Sequence, residues 1–113
     1  MTNETLHTLE TRRSCRAYKP QQITEEELAA VLRAGMYAPS GKNRQSARIV
    51  VVQDAAARAR LTRMNAAVMG SDKDPMYGAP TILLVVADAH NPNAVADGSL
   101  VMGNLMNAAA SLG

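Results

Sequence analysis

The C-terminal segment limits the possible folds of this chain more than any other feature, because it is long and apolar. A helix predicted from about residue 94 to residue 112 carries Leu, Val, Met and Ala side chains at nearly every angular position. A helix that is apolar all round has to be buried on several sides. The 113 residues of one chain offer too little sheet and helix to cover it, so we predict a homodimer in which a second copy completes the burial.

The composition limits the classes of protein to consider. The formal net charge of +2 is too mild to argue for nucleic-acid binding, and a single cysteine excludes an internal disulfide. There is no signal peptide and no run of roughly 18 apolar residues, so we expect a soluble cytoplasmic protein that does not enter membranes. His7 and His90 lack the spaced companions of a ligand set, so we expect no metal.

Local signals predict four helices and two strands. Thr24 followed by Glu27 is a capping box, which starts a helix that ends before Pro39. The continuous β-branched run at residues 49–52 is typical of a strand buried on both faces. The predicted order is a helix at 3–12, an extended segment at 14–18, the helix from Thr24, the strand at 49–52, a helix from Asp54 to about 67, a loop at 69–80, a strand at 81–87 and the helix at 94–112.

A few positions within these elements carry specific expectations. Met64 is predicted to face the core, and Gly98 and Gly103 are predicted to let another backbone approach closely. Cys15 is predicted to be a small core residue, because it shares a face of the extended segment with Ala17, opposite Ser14 and Arg16. A nucleophilic cysteine needs an adjacent base, and neither histidine is an obvious partner.

Three arginines and a serine lie within five residues, as Arg12, Arg13, Ser14 and Arg16, and we call them the arginine cluster. A guanidinium is always charged, and its planar fork of donors fits phosphate oxygens. The cluster therefore has two interpretations. It binds an anionic group, or it is a solvated basic turn in which Arg12 and Arg13 are favoured by the dipole at the end of the first helix.

A polar loop at residues 39–45 follows the second helix and precedes a strand. Loops anchored between rigid elements are frequent places for binding residues. Its amide side chains can pair with carbonyl and ring-nitrogen edges of a ligand. The candidate binding residues in this 39–45 loop are Pro39, Ser40, Asn43 and Gln45.

Four motifs taken in order resemble the nitroreductase family of flavin enzymes. Each motif is weak alone, but together they run the length of the chain in the order and spacing of the family. The motifs are the arginine cluster with Tyr18 and Pro20, Ala38-Pro39-Ser40 with Asn43 and Gln45, Gly78-Ala79-Pro80 before a strand that ends in Asp88, and Asp97-Gly98-Ser99 leading through Asn104 to Gly113.

The resemblance implies an α+β fold in which a mixed sheet is flanked by helices, within a single domain at residues 1–113. Family members continue well past the position of Gly113, so the resemblance also implies that the C-terminal portion of the family fold is missing and that the chain is truncated. It further implies an intertwined homodimer whose two active sites lie at the subunit interface.

The resemblance implies FMN as the cofactor and NADH or NADPH as the electron donor. A hydride would pass from the nicotinamide to flavin N5, and a nitroaromatic or quinone-like small molecule would then take the electrons, in ping-pong order. Since the flavin carries this chemistry, no catalytic side chain is predicted. The physiological acceptor and the choice between NADH and NADPH are not predictable from the chain.

Each candidate residue receives a role from the same resemblance. Arg12, Arg13 and Ser14 would meet the FMN phosphate and ribityl chain, and Arg16 would reach the N1/O2 edge of the ring. The partner subunit would contribute the remaining flavin contacts, Pro39, Ser40, Asn43 and Gln45.

Two other functions stay open on the sequence alone. The first is a non-catalytic, truncated paralogue that binds flavin weakly or only dimerises. The second is an anion- or nucleic-acid-binding module built on the arginine cluster.

Overall fold

A computed structural model describes all residues from 1 to 113. The predicted order of helices and strands is confirmed, and a short 3-10 turn at Gly41–Asn43 lies within the 39–45 loop. The elements are α1 (Glu4–Thr11), α2 (Glu25–Met36), β1 (Arg48–Val52), α3 (Ala55–Met69), β2 (Ile82–Val86) and α4 (Ala94–Ser111).

The first three helices begin at side-chain caps. The capping box predicted for α2 is present, since the Thr24 hydroxyl accepts from the Glu27 N–H and the Glu27 carboxylate accepts from the Thr24 N–H. Asp54 caps α3 by accepting from the Ala57 N–H, as predicted. Asn3 caps α1 in the same way through the Leu6 N–H. These contacts join residues three apart, so they are readable from sequence.

The chain divides into two compact units, and the first comprises Met1–Ser14, Thr24–Ile49 and Val85–Gly113. In this unit α4 packs against α2 and, less extensively, against α1. The buried apolar side chains here are Val31 of α2 together with Val101 and Leu105 of α4. A face of α4 is thus buried, as its composition requires.

The contact between α2 and α4 depends on Gly35, which is buried in α2. A Cβ atom at Gly35 would lie 2.6 Å from Leu105 Cδ2 and 2.8 Å from Ile49 Cδ1. Gly103 has no atom within 4 Å of a Cβ position, and Gly98 meets only Val85 at 3.8 Å. The close approach predicted at Gly98 and Gly103 is therefore absent within the subunit, and Gly35 is the tight position.

Asn104 of α4 completes the end of α2. Its Nδ2 donates to the Ala34 carbonyl over 2.8 Å. The last four carbonyls of a helix have no partner inside the helix, and a half-buried one needs a donor from elsewhere. Asn104 supplies that donor, so this polar residue on an apolar helix also joins the end of α2 to α4.

The second unit comprises Cys15–Ile23 and Val50–Leu84, and it contains α3. Ala66 and Ile82 are its buried apolar residues. Gln22 ties its first segment in place, because its Nε2 donates to the Pro80 carbonyl over 2.8 Å and its Oε1 accepts from the Thr81 hydroxyl.

Three predictions of burial are wrong for this chain. β1 and β2 form a two-stranded antiparallel sheet, so β1 is only partly covered and Val50 is 43% exposed. Met64 of α3 is 55% exposed instead of facing the core. Cys15 is exposed, and its Sγ donates to the Ala17 carbonyl. A β-branched run indicates a strand but does not say how many neighbouring strands it has.

None of the four helices is both long and apolar enough to cross a membrane.

Candidate functional site

The first half of the arginine cluster lies at the end of α1, as its spacing predicts. The Arg12 N–H donates to the Thr8 carbonyl over 3.0 Å and closes the helix. Arg13 Nη1 donates to the carbonyls of Glu10 and Arg12, each over 2.8 Å. These carbonyls carry the negative end of the helix dipole, so both cations have a structural reason to be here.

Arg13 nevertheless keeps donors for a ligand. A guanidinium has five N–H groups, and the two contacts to carbonyls use Nη1 only. The side chains of Arg13 and Ser14 are exposed, and that of Arg12 is half-buried. The helix-end interpretation and the phosphate-binding interpretation are therefore compatible for Arg13.

Arg16 lies in the second unit, on the extended segment that follows. Contacts within the segment shape it: the Tyr18 hydroxyl donates to the Cys15 carbonyl over 3.2 Å, and Cys15 Sγ donates to the Ala17 carbonyl over 3.0 Å. The Arg16 side chain is exposed. A cation is thus presented to solvent from a segment with local hydrogen bonds.

The 39–45 loop has an uncommon backbone. Lys42 and Asn43 have φ of 53° and Gln45 has φ of 51°, all in the left-handed region. Asn adopts this region more readily than most residues, whereas Lys and Gln have no such preference. Non-glycine residues held there cost on the order of 1–3 kcal/mol each, and such strain is concentrated at functional sites.

Hydrogen bonds within the loop bring three of its four candidate residues together. The Ser40 hydroxyl accepts from the Gln45 N–H over 2.9 Å. Gln45 Nε2 donates to Asn43 Oδ1 over 3.0 Å, which leaves the Nδ2 group of Asn43 outside this bond. Pro39 precedes them and is exposed, as are Asn43 and Gln45. The loop therefore presents amide groups in a fixed arrangement.

Sequence reasoning missed two buried polar residues behind this loop, Asp97 and Asn91. Asp97 is 2% exposed, and its Oδ1 accepts from the Gly41 N–H over 2.9 Å. Asn91 is 9% exposed, and its Nδ2 donates to the Ser46 hydroxyl over 2.7 Å. The signal that could have found Asp97 is its position as the one charged residue of an otherwise apolar helix.

No group of three or more His, Cys, Asp or Glu side chains is placed to hold a metal ion. Every buried side-chain nitrogen and oxygen has a hydrogen-bond partner. The polar groups that remain available to a ligand are thus exposed ones, and those of the arginine cluster and the 39–45 loop are among them.

Comparison with known proteins adds to this picture. The family model described as the Nitroreductase family matches residues 9–113. A protein of Archaeoglobus fulgidus named "Putative NADH dehydrogenase/NAD(P)H nitroreductase" is 36% identical over 85 residues, which are 75% of this chain. The chain spans 46% of the length of that relative.

Solved structures show the same likeness. A nitroreductase with bound FMN from Bacteroides fragilis is 34% identical with a TM-score of 0.87, over 99% of this chain and 67% of its own. A nitroreductase with bound FMN from Desulfitobacterium hafniense is 31% identical with a TM-score of 0.89, over 100% and 68% respectively. An FMN-dependent nitroreductase from Clostridium difficile is 31% identical with a TM-score of 0.86, over 98% and 57%. The predicted α+β nitroreductase-like fold is confirmed.

Proposed function

This chain belongs to the nitroreductase family, and from that premise we propose that it is an FMN-dependent oxidoreductase that takes electrons from NADH or NADPH. One observation carries the proposal. Two nitroreductases with bound FMN share the fold of nearly the whole chain at more than 30% identity, and this chain presents an arginine cluster and a polar loop with exposed donors.

The donors of the arginine cluster suit the phosphate of FMN. The helix-end contacts of Arg13 restrain its guanidinium, so less side-chain freedom is lost when the remaining N–H groups bind an anion. Arg12 and Arg13 would then hold the phosphate through charge-assisted hydrogen bonds, with the Ser14 hydroxyl beside the ribityl chain. The positive charge of these guanidinium groups is opposite in sign to the charge of the phosphate.

The 39–45 loop would contribute from a second copy of the chain. Ser40, Asn43 and Gln45 are held together by their own hydrogen bonds, so their remaining donors and acceptors are oriented before a ligand arrives. Pro39 is the first residue of the loop. It has no backbone N–H, so it cannot donate a backbone hydrogen bond to the ring. In the proposed homodimer this loop lines the flavin ring.

When bound, FMN would supply hydride transfer from the nicotinamide and onward delivery of electrons to a nitroaromatic or quinone-like acceptor. Arg16 would place a fixed positive charge beside the N1/O2 edge, where a cation favours negative charge. The side chains bind, orient and tune the ring, and none is assigned a proton transfer.

Absorbance of the purified protein tests the proposal. After incubation with FMN and desalting, we expect a retained yellow flavin band that NADH or NADPH bleaches in the absence of oxygen. A retained band that neither nicotinamide bleaches would support the non-catalytic paralogue instead. Loss of all flavin on desalting, with no binding in a titration, would contradict FMN binding by this chain.

A further inference from the structure

Asp97 is a buried carboxylate whose two oxygens both have partners. Its Oδ1 accepts from the Gly41 N–H over 2.9 Å, and its Oδ2 accepts from Asn91 Nδ2 over 3.3 Å. A buried carboxylate is costly unless it is hydrogen-bonded. Asp97 also lies in the first turn of α4, where the helix dipole favours a negative charge. It is therefore a stable anchor that faces the 39–45 loop.

Asn91 extends this anchor to the far end of the loop. Its Nδ2 donates to the Ser46 hydroxyl over 2.7 Å, and its Oδ1 accepts from Arg44 Nη1 over 3.3 Å and from the Asn93 N–H over 3.0 Å. Rotating the amide by half a turn would set Nδ2 against two donors. The orientation of Asn91 is thus fixed by its surroundings.

Gly41 is the residue that lets the loop reach this anchor. A Cβ atom at Gly41 would overlap the side-chain amide of Asn93, with Asn93 Cγ at 2.8 Å. A side chain at this position would displace the side chain of Asn93, whereas glycine brings its N–H to Asp97 without that displacement. The loop is thereby attached at Gly41 through Asp97 and at Ser46 through Asn91, on either side of its three left-handed residues.

We propose that Asp97 is a positioning residue, which holds the 39–45 loop in its left-handed conformation through Gly41 and Asn91. It is not a catalytic residue, because both of its oxygens are used and it is 2% exposed. The loop geometry stands on the hydrogen bonds alone. The consequence for FMN rests on the proposed function, since only then do Asn43 and Gln45 meet the flavin.

The test is Asp97→Asn, which keeps the shape of the side chain. The new amide still accepts from the Gly41 N–H, but its nitrogen meets Asn91 Nδ2, so two donors face each other. We expect hydrogen exchange at the Gly41 and Gln45 amides to rise about tenfold or more without flavin, which corresponds to about 1.4 kcal/mol. FMN affinity should fall by a similar factor, while exchange at Leu105 stays as in the wild type.

Asp97→Asn combined with Asn91→Asp is the matched rescue. It exchanges the amide and the carboxylate, restores a donor facing an acceptor, and places the new carboxylate beside Arg44 and the Ser46 hydroxyl. We expect loop exchange and FMN affinity to return to within about threefold of wild type. Asp74→Asn, at an exposed carboxylate that caps a turn in the second unit, is the control and should leave both unchanged.

The outcomes separate the two proposals. Unchanged exchange at Gly41 and Gln45 in Asp97→Asn, or a folded double variant whose loop exchange stays high, would overturn the positioning role. Should Asp97→Asn fail to fold, the double variant decides alone. A wild type that binds no FMN while the exchange results hold would overturn the proposed function and leave the loop inference standing.

Discussion

Arg13 contacts the end of α1 and keeps donors that could bind the proposed phosphate. Two of its N–H groups satisfy the carbonyls of Glu10 and Arg12 at the end of α1, and three others point elsewhere on the same rigid plane. The two uses do not compete, because they involve different nitrogens. Removing the guanidinium should therefore have two separable effects, one on stability and one on binding.

We predict that Arg13→Gln lowers FMN affinity by about ten- to a hundredfold, since a charge-assisted hydrogen bond contributes on the order of 1.5–3 kcal/mol. Stability should fall by only about 0.3–1 kcal/mol, the usual effect of a cation at a helix end. Riboflavin lacks the phosphate, so its affinity should not change. Fluorescence titration with both flavins and urea unfolding measure these quantities.

Arg63→Gln is the matched control, because Arg63 is an exposed arginine of α3 outside the arginine cluster. It should change neither flavin affinity nor the preference for FMN. Equal affinity of the wild type for FMN and riboflavin would remove the phosphate role. The arginine cluster would then be a basic turn at the end of α1.

At the scale of the elements, the packing of α4 on α2 depends on a missing side chain. We predict that Gly35→Ala destabilises the chain, because the added methyl meets Leu105 Cδ2 at 2.6 Å and Leu105 is 3% exposed. Overpacking costs about 1–3 kcal/mol and the gain in helix propensity offsets up to about 1 kcal/mol of it. A net loss of up to about 2 kcal/mol in urea unfolding is expected.

Gly103→Ala is the same change in a helix where a Cβ meets nothing within 4 Å. It should raise stability by about 0.5–1 kcal/mol, because only the propensity gain remains. A result in which both variants gain equally would mean that the Gly35 contact relaxes at no cost. The difference between the two variants isolates the packing effect from the backbone effect.

Local sequence signals were enough to predict most helices and strands. The contacts between residues far apart in the sequence could not be predicted. The caps at Thr24 and Asp54 join residues three apart, so composition and spacing reveal them. The bond between Asp97 and Gly41 joins residues 56 apart, and no local pattern indicates which loop a buried carboxylate will meet. The tight packing at Gly35 was not predicted for the same reason, because its neighbour Leu105 lies on another helix.

In the candidate site, the types of residue were readable from the sequence, but the backbone conformation was not. The residue types of the arginine cluster fitted an anionic ligand or a solvated basic turn, and the amides of the 39–45 loop fitted polar edges of a ligand. The left-handed conformation of Lys42 and Gln45 had no signal, since neither residue favours that region. The contacts proposed to hold the loop had no local signal either, because they come from Asn91 and from Asp97 of α4, which are distant in the sequence.

At the scale of the whole molecule, one side of α4 is uncovered. Val101 and Leu105 are buried, but Leu100, Met106 and Leu112 are each about half exposed. Val85 of β2 and Val95, Met102 and Met106 of α4 line an open apolar groove. Apolar surface of this kind favours association, and we propose a second copy of the chain as its cover.

We predict that the wild type is a dimer at micromolar concentration and that Met106→Glu raises its dissociation constant at least about tenfold, since a charge would have to be desolvated in an apolar contact. Met64→Glu is the control: Met64 is a comparably exposed methionine on α3. It should leave the dimer intact. Light scattering that finds a stable wild-type monomer, or equal effects of both variants, would contradict the assignment of this face.

The bond from Asn104 to the Ala34 carbonyl has a consequence during synthesis, because it joins positions 70 apart. A ribosome adds about 5–20 residues per second, so α2 waits roughly 4–14 s for the residue that completes its end. Throughout that interval Val31 has no α4 to pack against. We therefore expect the nascent chain to be most exposed to aggregation just before α4 is translated, and a pause there would lengthen that exposure.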